Sequence, residues 1–389
     1  MSNKRKNFWN LIAVVTGLFA AISMGVLATV LIPEEQPEPA PTDPPPVTEP
    51  ANCTIMDNYE AIVNDALAQA YDAAKSVKKV YWISENAELP PMPDPACFGQ
   101  TNDPAVLQAL LNDAAEILDG QETVFNMDTD YISATKVTYY LDKSILVITW
   151  NQVLDNYIYT FSEVKLSHPS QFRRFLAGNE YDSDYIHTTS KMAGMVNAVM
   201  ASSADFYRGR NHGIIVYDGE VKRTDHADQV DACFIDKDGN MILLPAGELT
   251  EMEETQKFVD EHGIQFSLAF GPILVQDGVR CEPDYYFLGE VNDEYPRAAL
   301  CQKDDLHYVI VTSNSGYGYV NSTTIHDFAA RIDELGCKYA YTLDGGATGT
   351  ISMQGNNLNP LHHERWISDI IYFATAMPND EEIAEPTEP

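Results

Sequence analysis

The chain has 389 residues, 45% of them hydrophobic, which is enough to bury at least one large core. Its 58 acidic residues outnumber 24 lysines and arginines, giving a formal net charge of −34. Such a charge repels polyanions, so the composition excludes general affinity for nucleic acid or anionic membrane surfaces. An anionic substrate would have to be bound by a local cationic site.

The N-terminal segment has the pattern of a membrane anchor. Residues 10–32 carry no charged side chain and are long enough to span a bilayer. Lys4, Arg5 and Lys6 precede them, which places the N-terminus in the cytoplasm by the positive-inside rule. We therefore predict a cytoplasmic stub and transmembrane signal anchor over residues 1–32, with the C-terminal domain extracytoplasmic at the cell membrane. A cleaved signal peptide is the alternative.

Two further segments separate this anchor from the main domain. Residues 33–51 alternate Pro with Glu, Thr and Asp, a composition that favours extended conformations and indicates a stalk. Residues 52–126 contain two stretches with apolar side chains at helical spacing, 58–80 and 104–118. We interpret residues 52–126 as a short helical prefix that acts as a spacer, a packing partner or a binding module.

The cysteine content agrees with an extracytoplasmic location. The number of cysteines is even, and none has C-x-x-C spacing; they are Cys53, Cys97, Cys233, Cys281, Cys301 and Cys337. Disulfides are expected in an oxidising compartment, and a Cys53–Cys97 pair closing an N-terminal loop is plausible. The other four cysteines allow three arrangements, and Cys337 could equally be a small free hydrophobe.

Residues 127–377 are predicted to form an α+β domain, a mixed β-sheet with flanking helices. Runs of β-branched and aromatic residues predict strands over 136–141, 145–150, 157–161, 163–166, 214–217, 232–235, 241–244 and 273–275. Helices are predicted over 170–177 and 250–262, and residues 192–200 fit either a strand or a helix. The acidic tail, residues 378–389, is expected to be disordered.

The segment 307–350 organises this domain. A strand over 308–311 is followed by a loop rich in Gly and Ser, and Thr324 and Asp327 then have capping-box spacing. Apolar residues at helical spacing continue to Leu335, where Gly336 is a natural helix stop. A second strand over 338–343 leads into Asp344. A strand–helix–strand unit predicts a parallel strand pair with a right-handed crossover, and it places Asp344 at a strand end, the usual position of a site.

The sequence around Asp344, YTLDGGATGT, resembles the LDGGGS-type signature of the phosphodiester glycosidase family. Four more segments are similar to that family's motifs and occur in the expected order: SADFY at 203–207, GIIVYDG at 213–219, FGPILVQDG at 270–278 and PRAA at 296–299. The resemblance covers roughly residues 131–376. It implies a hydrolase that cleaves sugar-1-phosphodiester linkages, with a carbohydrate or glycan-phosphate substrate.

The resemblance also implies the catalytic residues Asp344, Asp205 and Arg297. A carboxylate can stabilise the positive charge that builds on the sugar as its C1–O bond breaks, and Arg297, with Arg208, would hold the phosphate. The chain departs from the family pattern at three positions. Ala347 replaces the third Gly, Thr348 replaces the Ser, and Ala204 stands where the NGDFY-like segment has Gly.

Other polar residues near these motifs are candidate substrate ligands. Gly345 and Gly346 allow close approach of the backbone, and amides in such a turn can bind an oxyanion. Asn314 could hydrogen-bond sugar hydroxyls, Thr348 is a further candidate substrate ligand, and His212 could act as an acid or base. We identify no cofactor motif or metal-ligand set, since His362-His363-Glu364 lacks the histidine pair of a helical zinc site.

The sequence therefore predicts an extracytoplasmic hydrolase of phosphodiester-linked sugars in cell-surface or cell-wall glycans. The alternative is a non-catalytic glycan-binding or cell-envelope assembly module on the same scaffold, which the altered residues Ala347 and Thr348 motivate. Clustering of Asp205, Arg297 and Asp344 in one cleft would favour the enzyme.

Overall fold

The computed structural model describes residues 81–84, 87–103, 105–106, 110, 137–154, 157–205, 207–283, 286, 292–314, 323–361 and 363–378. The predicted anchor, the stalk, most of the prefix, Cys53 and residues 379–389 lie outside these ranges. Within them, no helix has the length and apolar character needed to cross a membrane.

The described ranges are dominated by β-structure. They contain 21 strands, β1–β21, which in chain order are Tyr81–Trp82, Phe98–Thr101, Val137–Leu141, Ile145–Leu154, Tyr157–Leu166, Phe172–Leu176, Ala198–Ser203, Ile215–Tyr217, Glu220–Arg223, Ala232–Asp236, Met241–Leu244, Ile264–Leu268, Ile273–Gln276, Val279–Arg280, Arg297–Asp304, His307–Asn314, Tyr339–Leu343, Ile351–Met353, Asn356–Asn357, Asp369–Ala374 and Met377–Pro378. The α-helices described are α1, Thr189–Met195; α2, Met252–His262; and α3, Ile325–Asp333.

These strands form three main sheets. The large sheet has nine strands in the order β14–β13–β17–β15–β16–β5–β4–β3–β2. Sheet A has the order β19–β18–β7–β20–β6, and sheet B has the order β11–β10–β12–β8–β9. Strands β1 and β21 form a separate pair. Strands β1 and β2 belong to the predicted helical prefix, so these parts of the prefix are strands that pair with the rest of the chain.

The main core lies on one face of the large sheet. Buried side chains of β4, β15, β16 and β17 pack there with side chains of sheets A and B, for example Tyr308 with Phe172 and Phe373. The opposite face of the large sheet is covered by α3 through Ile325, Phe328 and Ile332. Helix α1 packs on sheet A, and helix α2 packs on sheet B. The fold is therefore layered, with the large sheet between α3 and the two smaller sheets.

The predicted parallel strand pair is not formed. Strands β16 and β17 run in the same direction, but β15 lies between them and pairs antiparallel with both. The reason is the tight turn at Asp305–Leu306, where Leu306 has a φ of 53°, because it folds β15 back against β16 as a hairpin. Asp344 still follows directly on a strand end.

Two other expectations need correction. Residues 170–177, predicted as a helix, form a 3-10 turn at Pro169–Gln171 and then β6. The segments 157–161 and 163–166 are one continuous strand, β5, because Ser162 is buried within the sheet instead of breaking it. The helix predicted over 250–262 is confirmed as α2.

The disulfides expected from the sequence are not present among the described cysteines. Cys97, Cys233, Cys281, Cys301 and Cys337 are all free thiols. Cys233 and Cys301 lie in different buried clusters on opposite faces of the large sheet, which keeps them apart. Cys301 and Cys337 share a cluster, and burial, followed by the hydrogen bond that the Cys301 thiol shares with Cys337, raises the pKa of Cys301.

Candidate functional site

Three predicted site residues lie at one end of the large sheet. Asp344 follows the last residue of β17, Arg297 is the first residue of β15, and Asn314 is the last residue of β16. Arg297 is paired with Ser313, and Ala298 with Leu343, so these strand ends are adjacent. The topology thus brings together residues that are up to 47 positions apart in the sequence, from 297 to 344.

Asp344 begins a tight loop whose shape depends on two glycines. The amides of Thr348 and Gly349 both donate to the carbonyl oxygen of Gly345, at 3.2 Å each, which closes the loop on itself. Gly346 has a φ of 64°, a conformation that favours glycine. The Asp344 amide donates to the Ala204 carbonyl at 3.3 Å, so the loop is anchored beside the end of β7.

Gly345 packs directly on the start of β15. A Cβ atom built on Gly345 would lie 2.3 Å from the Pro296 carbonyl oxygen and 2.9 Å from the Arg297 Cα. Both atoms belong to the backbone and cannot move aside as a flexible side chain would. The first glycine of the DGG motif, Gly345, is therefore required by the close contact between the loop and residues 296–297.

Arg365, which the sequence analysis did not identify, is next to Asp344. Its Nη1 atom lies 3.9 Å from Asp344 Oδ2 and donates to Thr348 Oγ1 at 3.0 Å. Its amide donates to the Ala347 carbonyl at 3.2 Å. Arg365 lies 21 positions after Asp344 in a segment without a recognised motif, so only the folded chain shows this contact.

The side chain of Arg297 donates hydrogen bonds to backbone carbonyls of neighbouring segments. Its Nη2 donates to the Asp293 carbonyl at 2.8 Å and its Nε to the Thr323 carbonyl at 3.4 Å. Its guanidinium also lies 5.5 Å from the centre of the Tyr295 ring. The residue is only 7% exposed. These contacts hold residues 293–297 against Thr323 and leave little of the guanidinium accessible to a substrate.

Asn314 is hydrogen-bonded to a residue that lines a cavity at the same end of the large sheet. Its Nδ2 donates to the Pro360 carbonyl at 2.7 Å. The cavity has a volume of about 390 Å³, within the range of small-molecule sites, and is lined by Asn151, Gln152, Val153, Ile158, Asn357, Leu358, Asn359 and Pro360. Asn359 Nδ2 donates to the Gly349 carbonyl at 2.6 Å, so one wall of this cavity is attached to the Asp344 loop.

Asp205 is fully buried and belongs to a charged cluster with Arg174 and Asp369. Its Oδ1 accepts from Arg174 Nη2 at 2.8 Å and from the Tyr207 amide at 3.0 Å, and its Oδ2 accepts from the Ala269 amide at 2.7 Å. Arg174 also donates to Asp369 Oδ2 through Nη2, at 2.7 Å, and through Nε, at 3.1 Å. These bonds occupy both oxygens of Asp205, a geometry that favours a positioning role over contact with a substrate.

The cluster holds two carboxylates and one guanidinium away from water. Burial raises the pKa of Asp369 to about 7; Arg174 opposes this shift and the nearby Asp205 carboxylate adds to it. Because one guanidinium cannot neutralise two buried carboxylates, the cluster favours a bound proton below about pH 7.

The structure places Arg208 and His212 on the loop that follows Asp205. Arg208 forms an ion pair with the exposed Asp184. The half-buried His212 ring stacks on His226 at 4.5 Å between centroids. Burial, followed by the charge of His226, lowers the pKa of His212. Thr348, by contrast, is in the Asp344 loop and is 1% exposed.

The arrangement around Asp344 combines a carboxylate, a guanidinium and a glycine loop. Such a set can bind a phosphate group beside a carboxylate that stabilises positive charge. In the described ranges, no group of three or more His, Cys, Asp or Glu side chains is arranged to hold a metal ion.

A family model matches the part of the chain that contains this site. Residues 194–374 match the sequence model of the phosphodiester glycosidase family. This match confirms the resemblance seen in the motifs, and the matched segment includes Asp205, Arg297, Asp344 and Arg365. The family suggests a hydrolase of phosphodiester-linked sugars.

Individual proteins resemble the chain more distantly. The SPbeta prophage-derived uncharacterized protein YomE of Bacillus subtilis (strain 168) is 27% identical over 187 residues, which make up 46% of this chain. The chain spans 28% of that relative's length.

Solved structures with a similar backbone include the catalytic domain of zebrafish N-acetylglucosamine-1-phosphodiester alpha-N-acetylglucosaminidase, auto-inhibited by its pro-peptide. The TM-score is 0.46 and the identity 15%, over 59% of this chain and 82% of that one. A hypothetical protein from Synechocystis gives a TM-score of 0.44 at 12% identity, over 63% of this chain and 64% of that one.

Proposed function

We propose that the chain hydrolyses sugar-1-phosphodiesters and releases a free sugar and a phosphomonoester. The observation that carries this proposal is the position of the Asp344 carboxylate, 3.9 Å from the Arg365 guanidinium, on a glycine loop within the segment that matches the family. The negative carboxylate suits the sugar, which becomes positive as the bond breaks, and the positive guanidinium suits the phosphate.

The chemistry follows from these charges. The C1–O bond breaks, and its electron pair remains on the phosphate oxygen, which leaves positive charge on the sugar. Asp344 stabilises this charge, and the oxygen of a water molecule forms the new bond to C1. The water loses one proton to solvent, and the phosphate product needs little help from a general acid because it is a weak base.

The natural substrate is proposed from the location predicted by the sequence. If residues 10–32 anchor the chain and the folded domain lies outside the cytoplasm, the accessible phosphodiester-linked sugars are those of surface or cell-wall glycans. The cavity of about 390 Å³ beside Asn314 offers space for part of such a ligand.

The test is release of free sugar by the full chain from a panel of sugar-1-phosphodiesters. We expect turnover by the wild type and a loss of roughly 10²-fold or more in kcat for Asp344→Asn, because the carboxylate no longer stabilises the reacting sugar. Asp333→Asn, a change at an exposed carboxylate at the end of α3, is the matched control and is expected to retain full activity.

The opposite result would be equal turnover by the wild type and Asp344→Asn, which would remove Asp344 from the reaction. If the wild type binds surface glycan but turns over no diester of the panel, the non-catalytic binding module becomes the better description.

A further inference from the structure

We infer that Arg365, and not Arg297, is the residue that binds the phosphate of the substrate. This inference deepens the proposed function, on which it rests for the identity of the substrate. Its basis is the difference in accessibility and contacts between the two guanidinium groups.

The side chain of Arg365 is 46% exposed although it lies beside the buried Asp344 carboxylate. Its Nη1 donates to Thr348 Oγ1 at 3.0 Å, and the 3.9 Å separation from Asp344 Oδ2 is longer than a hydrogen bond. A guanidinium has five N–H donors, so Arg365 can keep its contact with Thr348 and present other donors to two phosphate oxygens.

The guanidinium groups of Arg297 and Arg174 are buried and donate hydrogen bonds to other groups of the protein. Arg297 donates to two backbone carbonyls and is 7% exposed. The side chain of Arg174 is 0% exposed and lies between Asp205 and Asp369. Binding of phosphate to either would require breaking buried hydrogen bonds, whereas the side chain of Arg365 is 46% exposed and can be reached from solvent.

The backbone on both sides of Arg365 is firmly held. The preceding residue, Glu364, accepts from the Ser190 amide and from Ser190 Oγ at 2.7 Å each, and from Asn357 Nδ2 at 3.3 Å. Ile367, two residues further on, exchanges hydrogen bonds with His187 at 2.8 and 3.0 Å. With this segment held, the hydrogen bond from Nη1 to Thr348 Oγ1 orients the guanidinium before a substrate binds, which lowers the entropic cost of binding.

Thr348, one of the positions at which the chain departs from the family motif, takes part in this arrangement. Threonine keeps the hydroxyl of the serine that it replaces, and that hydroxyl accepts the hydrogen bond from Arg365. The departure at position 348 thus retains the group that orients the guanidinium.

The experiment measures binding of inorganic phosphate and of methyl phosphate to the full chain by titration calorimetry, independently of turnover. We expect the affinity to fall about tenfold or more in Arg365→Gln, and less in Arg365→Lys, which keeps the charge but loses the planar fork. Arg280→Gln is the matched control, because Arg280 is 39% exposed and is paired with Glu282. We expect its affinity to equal that of the wild type.

A kinetic measurement completes the test where a diester is turned over. Arg365→Gln should then raise KM for the diester, and guanidinium ion added to Arg365→Ala should restore part of the rate, which a purely structural role would not produce. Thermal unfolding of each variant verifies that it is folded.

The inference is overturned if the wild type binds neither anion, if Arg365→Gln and Arg280→Gln bind equally well, or if KM is unchanged in Arg365→Gln. These outcomes are distinct from failure of the proposed function. Phosphate binding that depends on Arg365, without release of sugar from any diester, would retain the anion site and reject the hydrolase.

Discussion

Two residues of the Asp344 loop differ in the size of side chain that the structure allows. Gly345 has no room for a side chain, since a Cβ would meet the Pro296 carbonyl oxygen at 2.3 Å. Ala347, which stands at the third glycine of the family motif, is 8% exposed and has its Cβ accommodated. The motif can therefore change at its third glycine but not at its first.

We predict that Gly345→Ala destabilises the fold by about 1–3 kcal/mol, because the loop must move away from Pro296. The same movement displaces Asp344, so activity should fall as well. Gly194→Ala is the control, since a Cβ at this position in α1 meets nothing within 4 Å. Thermal unfolding of the two variants checks the prediction, and equal melting temperatures would contradict it.

At the scale of elements, α3 shows how far local sequence signals determine structure. Thr324 Oγ1 accepts from the Asp327 amide at 3.1 Å and donates to Asp327 Oδ2 at 2.7 Å, as the capping spacing predicts. Ile325, Phe328 and Ile332 form the buried face of the helix. Helix α3 in turn covers the large sheet, so its first turn contributes to the stability of the main domain.

Removal of this cap should cost about 1 kcal/mol of unfolding free energy. We predict that Thr324→Ala lowers the denaturant midpoint accordingly, whereas Thr324→Ser, which retains the hydroxyl, remains close to the wild type. An unchanged midpoint in Thr324→Ala would show that the cap contributes nothing.

Strand β6 shows where local signals fail. Its sequence, FRRFL, places Arg174 on the inward face between Phe172 and Leu176, where alternation would call for an apolar residue. The charge is tolerated because Asp205 and Asp369, 31 and 195 positions away, neutralise it. A prediction based on neighbouring residues cannot include such partners, and the helix predicted over 170–177 is wrong for this reason.

The candidate site, like the fold, was predictable from the sequence only in its contiguous parts. The strand that leads into Asp344 and its two glycines form a contiguous motif, and the sequence located them. The contacts of Arg365 with Asp344 and Thr348 and the order of β15, β16 and β17 depend on pairing between distant segments. These features became visible only in the folded chain.

At the scale of the whole molecule, the Arg174 cluster connects the two smaller sheets. Arg174 lies in β6 and Asp369 in β20, both in sheet A, and Asp205 follows β7 of the same sheet. Arg174 also donates to the carbonyl of Ser267 in β12 of sheet B, and Asp205 accepts from the Ala269 amide just beyond β12. Changes of charge in this cluster should therefore affect the stability of the entire fold.

The cluster predicts a pH dependence whose sign is determined by the raised pKa of Asp369, about 7. Between about pH 4 and 7 the folded carboxyl group retains a proton that the unfolded one has lost, so the free energy of unfolding decreases as the pH rises through this window. Asp369→Asn cannot titrate, and its amide oxygen can still accept from Arg174. We expect the stability of this variant, relative to the wild type, to increase from pH 5 to pH 7.5.

Asp205→Asn provides the comparison, because its two oxygens accept from three donors. An amide NH₂ at either position faces an N–H group, so this variant should lose about 1–3 kcal/mol or more at both pH values. Denaturant unfolding of the three proteins at pH 5 and pH 7.5 makes the test. If the difference between Asp369→Asn and the wild type is the same at both pH values, Asp369 does not titrate in this window. The cluster would then hold both carboxylates charged against one guanidinium.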